Sequence, residues 1–319
     1  MSLPASYGDV TAEYLALRRG AGIVLDAHDV VWVRGGDAVS FLDGLVSQSV
    51  DPMAPGTVAR SLLLTPQGKL DVPHHILRGE DVVALVTQAG KGEQLAASLN
   101  RFKIRVVVTL DLDPRPSFAV WGPEARIVVA RVSGSSVPEP GEWHETDGIV
   151  VADLPLIHGH PPRFLVLGAD PDDAVESGGT LVGGDAVSSV SIERGEPALG
   201  SDVDESTIPE EAGLVTDAVD FTKGCFLGQE LVARIDSRGR VTKHLRGLKM
   251  EANVIPPRDA VVESGGEAVG VLSTVGESLE LRAPIALAMV RHEVVPGDHV
   301  VVAWDGGSTT ALVASLPMA

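Results

Sequence analysis

Residues 220–240, DFTKGCFLGQELVARIDSRGR, gather the residue types in this chain that could do chemistry. Cys225 is the single cysteine in 319 residues. Lys223 stands two positions before it, Gly224 adjoins it, and Gly228 follows three positions later. The run Gly228-Gln229-Glu230-Leu231-Val232-Ala233-Arg234 can open a short helix, whose free N–H groups would lie near the sulfur. Those dipoles and the Lys223 ammonium both favour a thiolate, the nucleophilic and metal-binding form. The glycines admit positive φ and a close approach of ligand to backbone. A lone cysteine also serves as a small buried hydrophobe, so packing, reacting and binding all stay open from local chemistry. No His or Asp beside it in sequence completes a triad.

Charge sharpens the same segment. The chain carries a net −19, a field that repels nucleic acid and anionic membranes. Between positions 223 and 249 the balance reverses. Lys223, Arg234, Arg238, Arg240, Lys243, Arg246 and Lys249 face only Glu230 and Asp236, a local balance of about +5. A compact basic island of this size suits a small anionic ligand, with a solvated charged face as the plain alternative.

Other candidates are sparser. Asp71 follows the turn Gly68-Lys69-Leu70, where a strand carboxylate can face a cavity and accept from a heterocycle's adjacent N–H groups, or can simply edge the turn. Glu193 and Arg194 precede Gly195 in SIERGEPALGSDVDEST. The pairs His74-His75 and His158/His160 fall short of the three or four converging ligands a metal site needs, so no metal is expected. Trp143-His144-Glu145 reads as surface loop. Gly200, Asp202, Asp204 and Glu205 form an acidic turn without calcium-loop spacing. No phosphate loop and no dinucleotide fingerprint occurs.

These side chains need elements to hold them. Residues 30–34 read as a strand, and Gly35-Gly36 turns the chain. Asp37 is the N-cap candidate of a predicted helix with Ala38, Val39, Phe41, Leu42, Leu45 and Val46 on one face. Residues 58–64 and 70–77 form a predicted hairpin about TPQGK, and 81–87 a further strand. Residues 91–100 read as helix, 104–110 and 163–168 as strands, and 133–141 as an exposed loop. Residues 170–185 read as loops with a short helix. Periodicity leaves 187–193 open between helix and strand. From 241 onward short β-rich runs (245–250, 260–262, 270–273, 285–290, 299–304, 309–316) alternate with Gly and Pro turns, which predicts a barrel of about six strands. The mixed order of hairpins and helices predicts an α+β chain, divided into an interleaved region 1–240 and a barrel 241–319.

Composition fits a globular protein, at 44% hydrophobic and 22% charged. With aromatics at 4%, the core must rest on aliphatic residues. No apolar run approaches the roughly 18–20 residues of a membrane span. The first residues do not read as a signal peptide, and the single cysteine suits a reducing cytoplasm. No coiled-coil seam is visible, and a monomer is expected.

KGCFLGQELVAR closely resembles the K-G-C-[YF]-x-G-Q-E signature of the YgfZ family of folate-binding proteins, relatives of the glycine cleavage system T protein, an aminomethyltransferase. VRGGDAVSFLDGLVSQSVDPMAPG, LLLTPQGKLDVPHHIL, SIERGEPALGSDVDESTIPEEAGL and the β-rich tail resemble further stretches of that family; residues 114–162 carry no match. The resemblance implies a T-protein-like fold of three domains around a folate-binding cavity, with tetrahydrofolate or a one-carbon derivative as cofactor. It implies a cytoplasmic accessory role in iron–sulfur cluster assembly or repair, with links to tRNA modification through cluster-dependent enzymes. It carries Lys223, Gly224, Cys225, Gly228, Gln229 and Glu230 over as the signature, Cys225 as the functional thiol, with Arg234 after it. Asp71, Glu193 and Arg240 join the candidate cofactor-binding residues, and some of Arg234, Arg238, Arg240 and Lys243 are expected to meet folate's acidic tail. The sequence departs from T proteins at Val72, where they have a second Asp. It also lacks their Gly-Tyr-Thr-Gly-Glu stretch around 163–168. Ordinary aminomethyl transfer is therefore not expected. The alternatives are a folate-dependent one-carbon transferase or demethylase, and a cluster-bridging module in which Cys225 is one ligand among about four.

Overall fold

The structure, a computed structural model, describes residues 3–159 and 161–318, and at 236–238 the backbone only. Its first elements are α1 (Val10–Arg19), β1 (Gly22–Leu25), β2 (His28–Arg34), α2 (Ala38–Asp43), β3 (Val58–Leu64), β4 (Leu70–Arg78), β5 (Val82–Gln88), α3 (Gly92–Asn100) and β6 (Thr109–Leu112). There follow β7 (Ser117–Trp121), α4 (Ala125–Ser133), β8 (Trp143–Thr146), β9 (Ile149–Asp153), β10 (Arg163–Leu167), α5 (Pro171–Glu176), β11 (Thr180–Leu181) and α6 (Gly184–Arg194). A 3-10 turn (Pro209–Ala212), α7 (Val215–Ala218) and α8 (Gln229–Arg238) lead to the last six strands. These are β12 (Lys243–Met250), β13 (Val261–Ser264), β14 (Glu267–Ser278), β15 (Ala283–Arg291), β16 (His299–Trp304) and β17 (Gly307–Ala314).

Two open sheets and one barrel result. The five-stranded sheet runs β3-β4-β5-β2-β6, and the six-stranded sheet β11-β1-β7-β10-β9-β8. The two pack face to face: Val30, Trp32, Leu77, Ala84 and Val86 of the first meet Val150, Ala152, Leu165 and Leu167 of the second. The outer face of the five-stranded sheet buries Val31, Val33, Val72 and Ile76 under Leu42 of α2, Leu95 and Leu99 of α3, and Val232 of α8. The outer face of the six-stranded sheet is covered by α4 and α5 through Val128, Val129 and Ala174. The expected C-terminal barrel is present and closes through β12-β15-β14-β13-β16-β17. Its core is aliphatic, as the scarcity of aromatics requires.

Some local outcomes differ from the sequence reading or decide what it left open. Residues 143–145, read as surface loop, open β8. The helix after Asp37 stops at Asp43, and the Asp37 side chain does not cap it. Its carboxylate instead accepts from Val107 N at 2.7 Å. That contact keeps 104–108 out of the sheet, so pairing with β2 begins only at Arg34 opposite Thr109, and Ile104 and Val107 face solvent. Residues 187–193 are helical within α6. This helix lies between α1 and the barrel strand β14, burying Ala186, Ser189, Val190, Ile192 and Glu193. A helix covered on more than one side has no single apolar stripe, so its periodicity was mute.

Candidate functional site: a cavity between the two sheets

Where the sheets part, they leave a cavity of about 460 Å³. β1 and β2 meet at one side of it, β3 and β4 form a wall, and the chain after α6 closes another. Most of the lining is aliphatic, but one end holds a connected set of charges. Arg60 on β3 donates through Nη1 to Glu196 Oε1 at 2.8 Å and to the Pro155 carbonyl at 3.0 Å. Arg163, the first residue of β10, brings Nη2 within 3.7 Å of the same Glu196 oxygen. The other Glu196 oxygen accepts from Ile157 N at 3.0 Å. Arg163 also lies over the Trp121 ring, 5.4 Å from its centroid, because the two residues are register partners on adjacent strands. That contact sets the cation over the electron-rich ring face.

Burial opposes ionisation of Glu196. The nearby Arg60 and Arg163 charges and the Ile157 N–H outweigh it, so the carboxyl stays below the ordinary glutamate range. Burial pulls Arg163 down to about 10, with Glu196 opposing. Three histidines share the lining. Burial, with Arg163 adding, pushes His28 down to about 3. Burial takes His74 to about 4 against its hydrogen bond with the Val72 carbonyl, and holds His75 well below 6.5, helped by Arg60 and Arg163. All three are therefore neutral near pH 7. His75 Nε2, 2.9 Å from the Pro155 carbonyl, and His74 Nδ1, 3.1 Å from the Val72 carbonyl, must be the protonated ring nitrogens there.

Of the residues selected from sequence, only His74 and His75 line this cavity. Asp71 sits outside it and accepts from Gln94 of α3 at 3.1 Å. Glu193 is fully buried between α1 and the barrel. Tyr14 and Ser278 each donate to its Oε1 at 2.5 Å, and Arg18 approaches Oε2 at 3.4 Å. The Cys225 thiol is exposed, so it is not a packed hydrophobe. Lys223 does not face it. Its buried Nζ donates to the carbonyls of Asp43, Val46 and Gln48 at 2.7–2.9 Å, tying the loop after α2 to the cysteine segment. Gly228 adopts φ +76, and a Cβ there would lie 2.5 Å from Thr65 O. Its close neighbour is the TPQGK turn, not a ligand. Gly224 meets no such constraint. Gln229 accepts from Phe226 N, while Glu230, Arg234 and Arg240 are exposed.

Arg240 borders a second cavity of about 450 Å³ with Glu210, His244 and His292, and Lys243 a small third one with Asp202 and Asp204. His160 and the side chains of Asp236 and Arg238 lie outside the described residues. Among the described residues no group of three or more His, Cys, Asp or Glu could hold a metal ion. No helix of the described chain is long and apolar enough to cross a membrane.

Residues 1–158 match the GCVT N-terminal domain, and residues 243–319 match the glycine cleavage T-protein C-terminal barrel domain. An aminomethyltransferase of Bordetella petrii is 30% identical over 99% of this chain and 89% of its own length. The chain belongs to the glycine cleavage T-protein family. An aminomethyltransferase of Halothermothrix orenii is 25% identical, over 99% of this chain and 93% of its own. The crystal structure of the glycine cleavage system aminomethyltransferase T from Bartonella henselae superposes with a TM-score of 0.90 at 23% identity, covering 99% of this chain and 91% of that one. The T-protein-like α+β fold with its terminal barrel is thus common to the whole length.

Sequence reasoning missed Arg60, Arg163, Glu196 and His28. A signal existed for two of them. Arg60 interrupts the aliphatic strand VARSLLL, and Arg163 opens RFLVL. A charge inside an apolar strand is either at an edge or paired in the interior. Glu196 and His28 stand in loop-like surroundings, and only the fold brings them in.

Proposed function

We propose that this chain binds a reduced folate, tetrahydrofolate or a one-carbon derivative of it, in the cavity between the sheets. We further propose that it serves as an accessory protein in iron–sulfur cluster assembly or repair, with Cys225 as its functional thiol. The observation that carries the folate reading is the cavity itself. It is of ligand size, largely apolar, and walled at one end by a few fixed polar groups, within a T-protein fold. A flat heterocycle with ring N–H and carbonyl groups fits such walls. The neutral imidazoles of His28, His74 and His75 can bond to it without charge, and the aliphatic strands exclude water from its faces. Bound folate would supply the one-carbon carrier chemistry; the chain binds and orients it.

The accessory reading draws on the cysteine signature, on the exposed thiol, and on the departures from the T-protein pattern at Val72 and around 163–168. Arg234 and Arg240 give the outer segment positive charge with which to meet an acidic partner. Titration calorimetry with tetrahydrofolate tests the first part, and absence of binding removes it. Restoring cluster-enzyme activity in deficient cells tests the second, since full rescue by Cys225→Ala removes the thiol role.

The relatives' activity favours a second reading, a folate-dependent one-carbon transferase. Incubation with methylated amines and tetrahydrofolate, followed by mass detection of methylene-folate, separates the two. Turnover above a heat-killed control favours the enzyme.

A further inference from the structure

Among the described residues, four buried polar atoms of the cavity lining have no hydrogen-bond partner: Arg163 Nε, His28 Nδ1, Trp121 Nε1 and His74 Nε2; the first two belong to residues that act on one another electrostatically beside Glu196. Arg163 is 6% exposed. Its face is taken by Trp121 and its Nη2 reaches towards Glu196, so the Nε–H edge is left without an acceptor. A buried donor in that state costs free energy until an acceptor arrives. Charge points the same way. The buried charges that line this end are Arg60, Arg163 and Glu196, two cations and one carboxylate, while the imidazoles are neutral. Asp153 acts on Arg163 from β9 but does not line the cavity, and its Oδ2 accepts from Gly141 N. Asp26 lines the exposed rim. The buried end, apart from Asp26 at the rim, thus keeps one positive charge in excess, in a chain that is −19 overall. Glu196 already shows which group these guanidiniums accept: a carboxylate oxygen, at 2.8 Å from Arg60.

We propose that this end of the cavity is a carboxylate subsite, in which Arg163 Nε–H and the His28 ring hold a monoanionic ligand carboxylate beside the Arg60–Glu196 pair. A guanidinium edge fits carboxylate and phosphate oxygens alike, but one negative charge balances the buried end, which favours a carboxylate over a phosphate dianion. The carboxylate has two sources, a folate's glutamate tail or a separate small carboxylic acid such as an N-methyl amino acid. The proposal goes beyond the folate reading and stands without it.

Calorimetry on the full chain distinguishes these sources, using tetrahydrofolate, tail-less 6-methyltetrahydropterin and N-methylglycine as probes. The variants are Arg163→Gln, Arg163→Lys and His28→Gln, each checked for a native melting transition. The His28 variant leaves the ion pairs intact should the arginine variants fail to fold. If N-methylglycine binds, and binding falls at least tenfold in Arg163→Gln or His28→Gln, the subsite is supported with a free acid as its ligand. If N-methylglycine does not bind, the tail-less pterin binds at least tenfold more weakly than tetrahydrofolate, and the variants erase that difference, the subsite is supported with the tail as its ligand. If both pterins bind equally, no variant changes this, and N-methylglycine does not bind, the subsite is overturned while the folate reading survives. If N-methylglycine binds in a variant-sensitive way and tetrahydrofolate does not bind, the subsite stands and the folate reading falls. Absence of binding by all three overturns both.

Discussion

Glu196 holds two guanidiniums with one carboxylate, and its removal would strand both in a poorly hydrated cavity. Breaking a buried pair by deleting one partner costs about 3–5 kcal/mol. Glu196→Gln is therefore expected to lower stability by about 3 kcal/mol, read as a displaced urea midpoint at unchanged slope. The imidazoles give a pH signature. His28 at about 3 and His74 at about 4 lie below their unfolded value of about 6.5, so the unfolded chain binds more protons between those limits. Their contribution is complete above pH of about 6.5 and is lost as pH falls towards 4 and 3. Each adds up to about 1.4 kcal/mol per pH unit within that window. Urea titrations from pH 7.5 to 4.5 should show this decline, and His28→Gln should reduce its slope by nearly one proton. An unchanged slope would mean that His28 is hydrated and not buried neutral.

At the scale of elements, the cysteine segment is held by Lys223 and Gly228, which the sequence presented as ligand-facing, and by Gly68 of the β3–β4 turn. Lys223 fastens it to the end of α2 through three carbonyls. Lys223→Met keeps the aliphatic stem but leaves those acceptors unserved, and each unpaired buried group costs about 1–3 kcal/mol. A loss of about 2–4 kcal/mol is expected, together with faster proteolytic nicking at 220–228. Gly228 and Gly68, both at positive φ, let α8 and the β3–β4 turn approach. Gly228→Ala should cost about 1–3 kcal/mol from backbone conformation, and more from the contact with Thr65 O. A substitution without effect on the melting temperature would show that α8 is not seated on that turn.

Over the whole molecule, polar contacts along and just after β14 tie the barrel to the other elements. Asp202 Oδ1 accepts from Ser273 and Thr274 of β14 at 2.6 Å each, and Glu193 accepts from Ser278 at the far end of the same strand. Asp202→Ala should loosen β14 without unfolding the two sheets. Amide exchange in β14 is expected to quicken at least tenfold, while β7 and β10 keep their protection. Uniform acceleration would instead report global destabilisation. The barrel was legible because six short strands between Gly and Pro turns leave few other architectures. The hairpin 58–77 was legible because its turn chemistry and its aliphatic arms agree. By contrast, 104–108 reads as a strand in sequence, yet Asp37 draws its backbone away from the ladder.

By itself, the sequence determined much of the local order: most of the runs that become strands, and a C-terminal series of short strands that closes as a barrel. These follow from side-chain pattern and turn residues, which act over a few positions. Only the tertiary structure decided what faces what. It placed Cys225 outside, turned Lys223 inward to carbonyls, and set Asp71 against Gln94. It brought Arg60, Arg163 and Glu196, from three separate stretches, to one end of one cavity. Electrostatic partnership depends on distance through space and on exclusion of water. Neither quantity exists until the two sheets have packed.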